Sequence, residues 1–158
     1  MRFPDKLIVM VRDVESGLPV ANVAVVLRLF AAQRSDYYVG PTITDENGST
    51  PITRQDCESA IQRSKEMFLM DYAGNLASCR PMIEVSLHPA EYIAGMLRNY
   101  QKTPSFWGQG FEAPEKVFAA LAKVGNASYQ PAAVRASEEE ILSKPELVLS
   151  LVRNQQQA

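Results

Sequence analysis

Before Pro89 the apolar positions fall in short runs and strict alternations; after it they fall at helical spacing. Leu7-Ile8-Val9-Met10-Val11 is an uninterrupted apolar run and predicts a strand covered on both faces. Val14 to Pro19 predicts a tight turn, with Gly17 supplying a positive φ and Pro19 discouraging further pairing. From Asn22 to Phe30 the alternation puts Val23, Val25, Leu27 and Leu29 on a core face. Ala24, Val26, Arg28 and Phe30 fall on the other face, which Arg28 marks as partly wet. Ala31 to Asp36 reads as a loop, and Tyr37 to Thr44 as a third strand with a break at Gly40-Pro41. Asp45-Glu46-Asn47-Gly48 predicts a hairpin with a type I′ turn, followed by a short return strand from Ser49 to Ile52. Thr53 and Asp56 open a helix to about Lys65, with Ile61 as its main apolar contact, lying over one edge of the strands. Met67 to Tyr72 returns to strand. Pro81 to His88 carries the cleanest alternation, with Ile83, Val85 and Leu87 pointing inward.

The second half reads as helices. Tyr92, Ile93, Met96, Leu97 and Tyr100 form one stripe; Val117, Phe118 and Leu121 form another, opened by Pro114 and closed by Gly125. Ser137 with Glu140 makes a capping box for a short helix. Pro145 starts a last helix whose stripe, Leu147, Val148, Leu151 and Val152, is expected to dock on the rest. The fold class expected is α+β. A β-sandwich with one inserted helix occupies residues 1–89, and a helical segment, 90–158, packs on it as one compact unit.

Composition narrows the function classes. The 158 residues carry 16 basic and 18 acidic side chains, a net charge of −2, with no basic cluster. That balance gives neither a phosphate backbone nor an anionic membrane anything to hold, so no nucleic-acid or membrane partner is expected. Two cysteines are too few for a disulfide framework or a thiolate zinc site. With no export signal at the start and no apolar run long enough for a membrane span, a cytoplasmic protein with reduced thiols and no cofactor is the expectation.

Val11-Arg12-Asp13-Val14-Glu15-Ser16-Gly17-Leu18-Pro19-Val20-Ala21-Asn22-Val23, together with Thr44-Asp45-Glu46-Asn47-Gly48, resembles the opening of the transthyretin-like (prealbumin-like) β-sandwich superfamily. That group includes carboxypeptidase regulatory-like domains, collagen-adhesin repeats and the hydroxyisourate hydrolases. The resemblance covers about residues 7–88 and implies an antiparallel prealbumin-like sandwich. It also implies where a hydrolase of the group would keep its chemistry. A histidine would precede the Val-x-Asp of the first strand, where this chain has Met10; an arginine would follow the hairpin glycine, where it has Ser49. The expected Tyr-Arg-Gly-Ser tail is Gln-Gln-Gln-Ala at 155–158. The hydrolase activity therefore does not carry over. Iron-dependent intradiol dioxygenases of similar architecture need two histidines, and this chain has one.

His88, before Pro89, reads as a surface or turn histidine and Cys57 as an ordinary thiol, although a helix dipole can lower the pKa of a first-turn cysteine; these are the two residues on which an unrelated hydrolase would have to be built. Cys79 carries no redox motif. Asp13, Glu15, Asp45 and Glu46 lie in turns expected at the same end of the sandwich, where four carboxylates could hold calcium. The same residue types are ordinary in turns. Phe106, Trp107 and Phe111 share a glycine-bearing loop that either plugs the space beneath the helices or offers a stacking platform, and Tyr37-Tyr38 is open to the same two readings. The expectation is a non-catalytic binding or assembly module. It would contact a protein partner, a second copy or a glycan through Tyr37, Tyr38, Phe106, Trp107, Phe111 and the C-terminal helices. The alternative is a hydrolase around Cys57 or His88.

Overall fold

The computed structural model describes residues 1–31, 36–68, 74–88, 129–130 and 132–153, the side chains of 64–68 and 88 excepted. Among the described residues seven strands form two sheets, a mixed α+β architecture. In chain order they are β1 (Lys6–Asp13), β2 (Ala24–Leu29), β3 (Tyr37–Ile43), β4 (Ser49–Thr53), helix α1 (Arg54–Phe68), a short 3₁₀ turn (Leu76–Ser78) and β5 (Met82–His88). Then follow β6 (Ala132–Ser137), helix α2 (Glu138–Ser143) and β7 (Glu146–Leu151). One sheet has the order β4-β1-β7 and the other β3-β2-β5-β6.

Alternation decides what each sheet buries. Leu7, Val9 and Val11 of β1 meet Val25, Leu27 and Leu29 of β2 and Ile83, Val85 and Leu87 of β5 in one core cluster, all of them fully enclosed. The inward set expected for β2 and β5 is the one observed, but Ala24 and Val26, expected on the wetter face of β2, are buried as well, and only Arg28 on that face of the strand is partly exposed. β1 differs from its expectation. Ile8 and Met10 are only half-buried and Arg12 is exposed, because no sheet of the described residues covers that outer face.

Several turns follow from local chemistry. Gly17 has φ +71 in the turn after β1, and the Asp13 carboxylate accepts from the N–H groups of Glu15 (2.9 Å) and Ser16 (3.0 Å). Thr53 and Asp56 cap α1 reciprocally: the Thr53 N–H donates to Asp56 (2.9 Å) and the Asp56 N–H to the Thr53 hydroxyl (3.0 Å). The helix packs on β3 and β4, one edge strand from each sheet. Ser137 and Glu140 form the expected capping box on α2. The Met1 amine donates to the carbonyls of Leu76 (2.7 Å), Ala77 (2.9 Å) and Cys79 (3.0 Å), tying the start of the chain to the 3₁₀ turn.

Four expectations are corrected. Asn47-Gly48 is not a type I′ hairpin: Gly48 has φ +70, but among the described non-glycine residues only Asn22 has a positive φ. Asp45 organises that turn, accepting at its carboxylate from Asn47 (2.9 Å) and Ser49 (3.0 Å). The turn passes from one sheet to the other, so β4 pairs with β1 and not with β3. Met67 and Phe68 are helical, since α1 runs past its expected end, and residues 69–73 of that expected strand lie outside the described residues. The predicted last helix is a strand. Leu147, Val148, Leu151 and Val152 fit a helical stripe, but Glu146–Leu151 also alternates, and parallel pairing with β1 buries Leu149 and Leu151. Residues 132–137, for which no element was expected, pair with β5 as β6. The described part of the C-terminal segment is thus two strands and one short helix, and its other predicted helices lie outside the described residues.

Candidate functional site

The four-stranded sheet turns a row of polar and aromatic side chains outward. Arg28 of β2 stands opposite Tyr38 of β3 on one side and Glu84 of β5 on the other, and Glu84 stands opposite Arg135 of β6. Successive residues of a strand point to opposite faces, so this register sets the four side chains in line on one face. The Arg28 guanidinium donates to Asp36 through Nε (2.8 Å) and Nη2 (2.5 Å), and its Nη1 lies 3.6 Å from Glu84. Arg135 Nε donates to Glu84 (3.1 Å). Both guanidinium groups also stack on Phe30, at 4.7 Å for Arg28 and 5.3 Å for Arg135.

Burial pulls the Arg28 pKa down, but hydrogen bonding to Asp36 and the charges of Tyr38, Asp36 and Glu84 outweigh it and hold the pKa above its ordinary value. Partly exposed ion pairs of this kind contribute about 0–1 kcal/mol each. Their consequence is geometric. They hold two flat guanidinium groups and an aromatic ring in fixed positions at a half-exposed surface.

The second polar cluster is centred on a buried carboxylate. Asp13, at the end of β1, is 3% exposed. Besides its two turn amides, it accepts from the Tyr129 hydroxyl (3.1 Å) and from Arg153 Nε (2.6 Å). Arg153 lies 5.9 Å from the centre of the Tyr129 ring, and Gln130 N–H donates to Val152 C=O (2.8 Å). The Ser16 N–H does most to hold the Asp13 carboxyl well below the usual carboxylate range, burial opposes it, and Arg153, the Glu15 N–H and Tyr129 add to the lowering. A carboxylate this fully satisfied is a clamp between β1 and the late strands.

The expected site residues separate. Tyr37 is buried in the core at 2% exposure, whereas Tyr38 reaches the surface row. Phe106, Trp107 and Phe111 lie outside the described residues, as does the side chain of His88. The calcium set does not converge. Asp13 and Asp45 spend their oxygens on their own turns and on Tyr129 and Arg153, and Glu15 and Glu46 are exposed. No group of three or more metal-ligating residues occurs among the described residues. Met10 and Ser49 are register partners on the outer face of the three-stranded sheet.

Cys57 is fully buried, and desolvation, aided by Asp56, Cys79 and Glu58, pushes its pKa far up in place of the lowering a helix dipole would give. Cys79 is buried too, and burial raises it against the opposing pull of the N-terminal amine. Both are free thiols. A thiol-specific disulfide reagent is therefore expected to label neither in the native protein and both after denaturation in guanidinium; rapid native labelling of Cys57 would contradict this.

Arg28, Phe30 and Arg135 were not among the candidates read from the sequence. Alternation already put Arg28 and Phe30 on the wetter face of β2, but their meeting with Arg135 depends on a strand that was not foreseen. Among the described residues no helix is long and apolar enough to cross a membrane. The chain matches no family model, no curated protein and no solved structure.

Proposed function

We propose that this protein is a non-catalytic binding or assembly module, built on a transthyretin-like sandwich, that engages a protein partner through the outer face of its four-stranded sheet. One observation carries the reading: Arg28 and Arg135 clasp Phe30 in line with Tyr38 and Glu84. Arginine and aromatic residues dominate the energetics of protein interfaces, and prior fixing of their rotamers lowers the entropy cost of association. A glycan, which stacks on aromatic rings, is the second ligand class that such a surface suits. No cofactor enters this reading. The sandwich assignment draws support from two sheets that share one core and from the Asp13–Pro19 turn that the family resemblance picked out. The competing hydrolase reading is weakened at Cys57, whose thiol is fully buried and has its pKa pushed up by desolvation.

The test compares immobilised full-length chain with the Phe30→Ala/Arg135→Ala variant as baits in lysate of the source organism, with a glycan array run on both. A stoichiometric partner, or a glycan, retained by the first and lost by an equally folded variant is the expected result. Ligands held equally by both baits would overturn it.

A further inference from the structure

We infer that two copies of this chain associate through the edge of β7, joining their three-stranded sheets into one antiparallel six-stranded sheet about a two-fold axis at Val148. The inference is independent of the outer face of the other sheet, and its variants leave Phe30 and Arg135 untouched.

Ile8 N–H donates to Pro145 C=O and Val14 N–H to Leu151 C=O, both at 3.0 Å. The odd-numbered residues of β7 therefore turn their backbone groups to β1, and Glu146, Val148 and Ser150 turn theirs to the opposite edge, where no described strand pairs with them. Chains usually guard such an edge with proline, lysine or a bulge. The far edge of the same sheet is guarded. Pro51 of β4 sits where an outward N–H would otherwise be, since Leu7 and Val9 pair with Ile52 and Thr50 on the inward side. β3 carries Pro41 and a register shift opposite β2. β7 has no proline or lysine, and it exposes Val148 at 57%.

The open stretch has two stops. At one end the Glu146 N–H is already given to Lys144 C=O (2.8 Å), and at the other Gln130 occupies the Val152 carbonyl (2.8 Å). A window from 146 to 150 centred on Val148 pairs with itself symmetrically in one register: Val148 against Val148, exchanging both backbone hydrogen bonds, and Glu146 against Ser150, where the Ser150 N–H donates to the Glu146 C=O. That register also suits the side chains. On the outer face Met10 stands beside Val148 and Arg12 beside Ser150, so the joined sheet has an apolar central row, Met10–Val148–Val148–Met10. Beside it, Glu146 of the second copy follows Ser150 and then Arg12, opposite charges two strands apart. Moving the pairing so that Glu146 faces Glu146 sets like charges together. A second copy is the one partner for which this edge is self-complementary.

The paired window is roughly 17 Å long, which places the dimer at the small end of specific interfaces, with a dissociation constant on the order of micromolar. Sedimentation of the full chain from about 1 to about 200 µM should follow a monomer–dimer equilibrium. Val148→Lys, and independently Ser150→Pro, which copies the guard on β4, should each weaken it by more than about tenfold while the circular dichroism spectrum stays unchanged. Arg12→Glu should weaken it and Arg12→Glu/Glu146→Arg restore it. A monomer at every concentration, growth beyond the dimer, or a dimer indifferent to both folded edge variants would overturn the inference.

Discussion

Gly48→Ala is expected to cost about 3 kcal/mol of folding stability, a large share of the roughly 5–15 kcal/mol of a typical domain. Gly48 sits in the left-handed region at φ +70, and a Cβ there would lie 2.6 Å from the Val11 carbonyl oxygen, 2.8 Å from Pro19 Cβ and 2.9 Å from the Val20 nitrogen. Two of those three atoms are backbone, one in β1 and one in the connection from β1 to β2, and they are tied together by the Val20 N–H donating to the Val11 C=O (2.9 Å). They cannot move aside alone. Val11 N–H also donates to Gly48 C=O at 2.7 Å, so a displaced Gly48 loosens the β1–β4 pairing. Gly17 provides the control. Its φ is +71, yet a Cβ added to it meets nothing within 4 Å. Gly17→Ala should therefore show only the conformational cost, about 1 kcal/mol. Urea melts of the two variants separate close packing from backbone preference, and equal losses would contradict the account.

Asp13→Asn should lower the melting temperature strongly at neutral pH, and the gap from the unsubstituted protein should close as the solution is acidified. The folded carboxyl titrates well below its ordinary value of 3.8, held there first by the Ser16 N–H and then by Arg153, the Glu15 N–H and Tyr129. A carboxyl with a lowered folded pKa favours the folded state while it is charged. Its contribution is complete above the unfolded pKa and fades as pH falls below that value toward the folded one. The asparagine amide keeps an oxygen for the turn but loses the charge that Arg153 meets. Thermal melts of both proteins from pH 7 down to the acid limit test this. A gap that stays constant with pH, or no gap at neutral pH, would contradict it.

Much of the fold is legible where its rules are local. The inward faces of β2 and β5, the Gly17 turn and the caps Thr53/Asp56 and Ser137/Glu140 each depend on residues a few positions apart. β7 was misread because Leu147-Val148 and Leu151-Val152 satisfy a helix stripe as well as Leu147, Leu149 and Leu151 satisfy a strand. The arbiter, pairing with β1, is remote in sequence. Asn47-Gly48 has the composition of a two-residue hairpin, but the turn must carry the chain from one sheet to the other, and Asp45 with a left-handed Gly48 does so. The candidate site was half legible. Arg28 lies on a face that the sequence marks as partly wet and Glu84 alternates with the inward set of β5, whereas no local pattern says that Arg135 joins them. On sequence alone Asp13 is a turn residue or a metal ligand, and its partners Tyr129 and Arg153 meet it only through the fold.

The central claim is that the late strands complete the sheets begun by the early ones around a single core. Amide hydrogen exchange followed by NMR tests it most directly. The Leu147, Leu149 and Leu151 amides, which face β1, should exchange only through the same global opening that releases Val25, Leu27 and Leu29 at the centre of the other sheet. Fast exchange at those three residues, or helical short-range contacts across Glu146–Leu151 while β2 stays protected, would show that the core closes without β7.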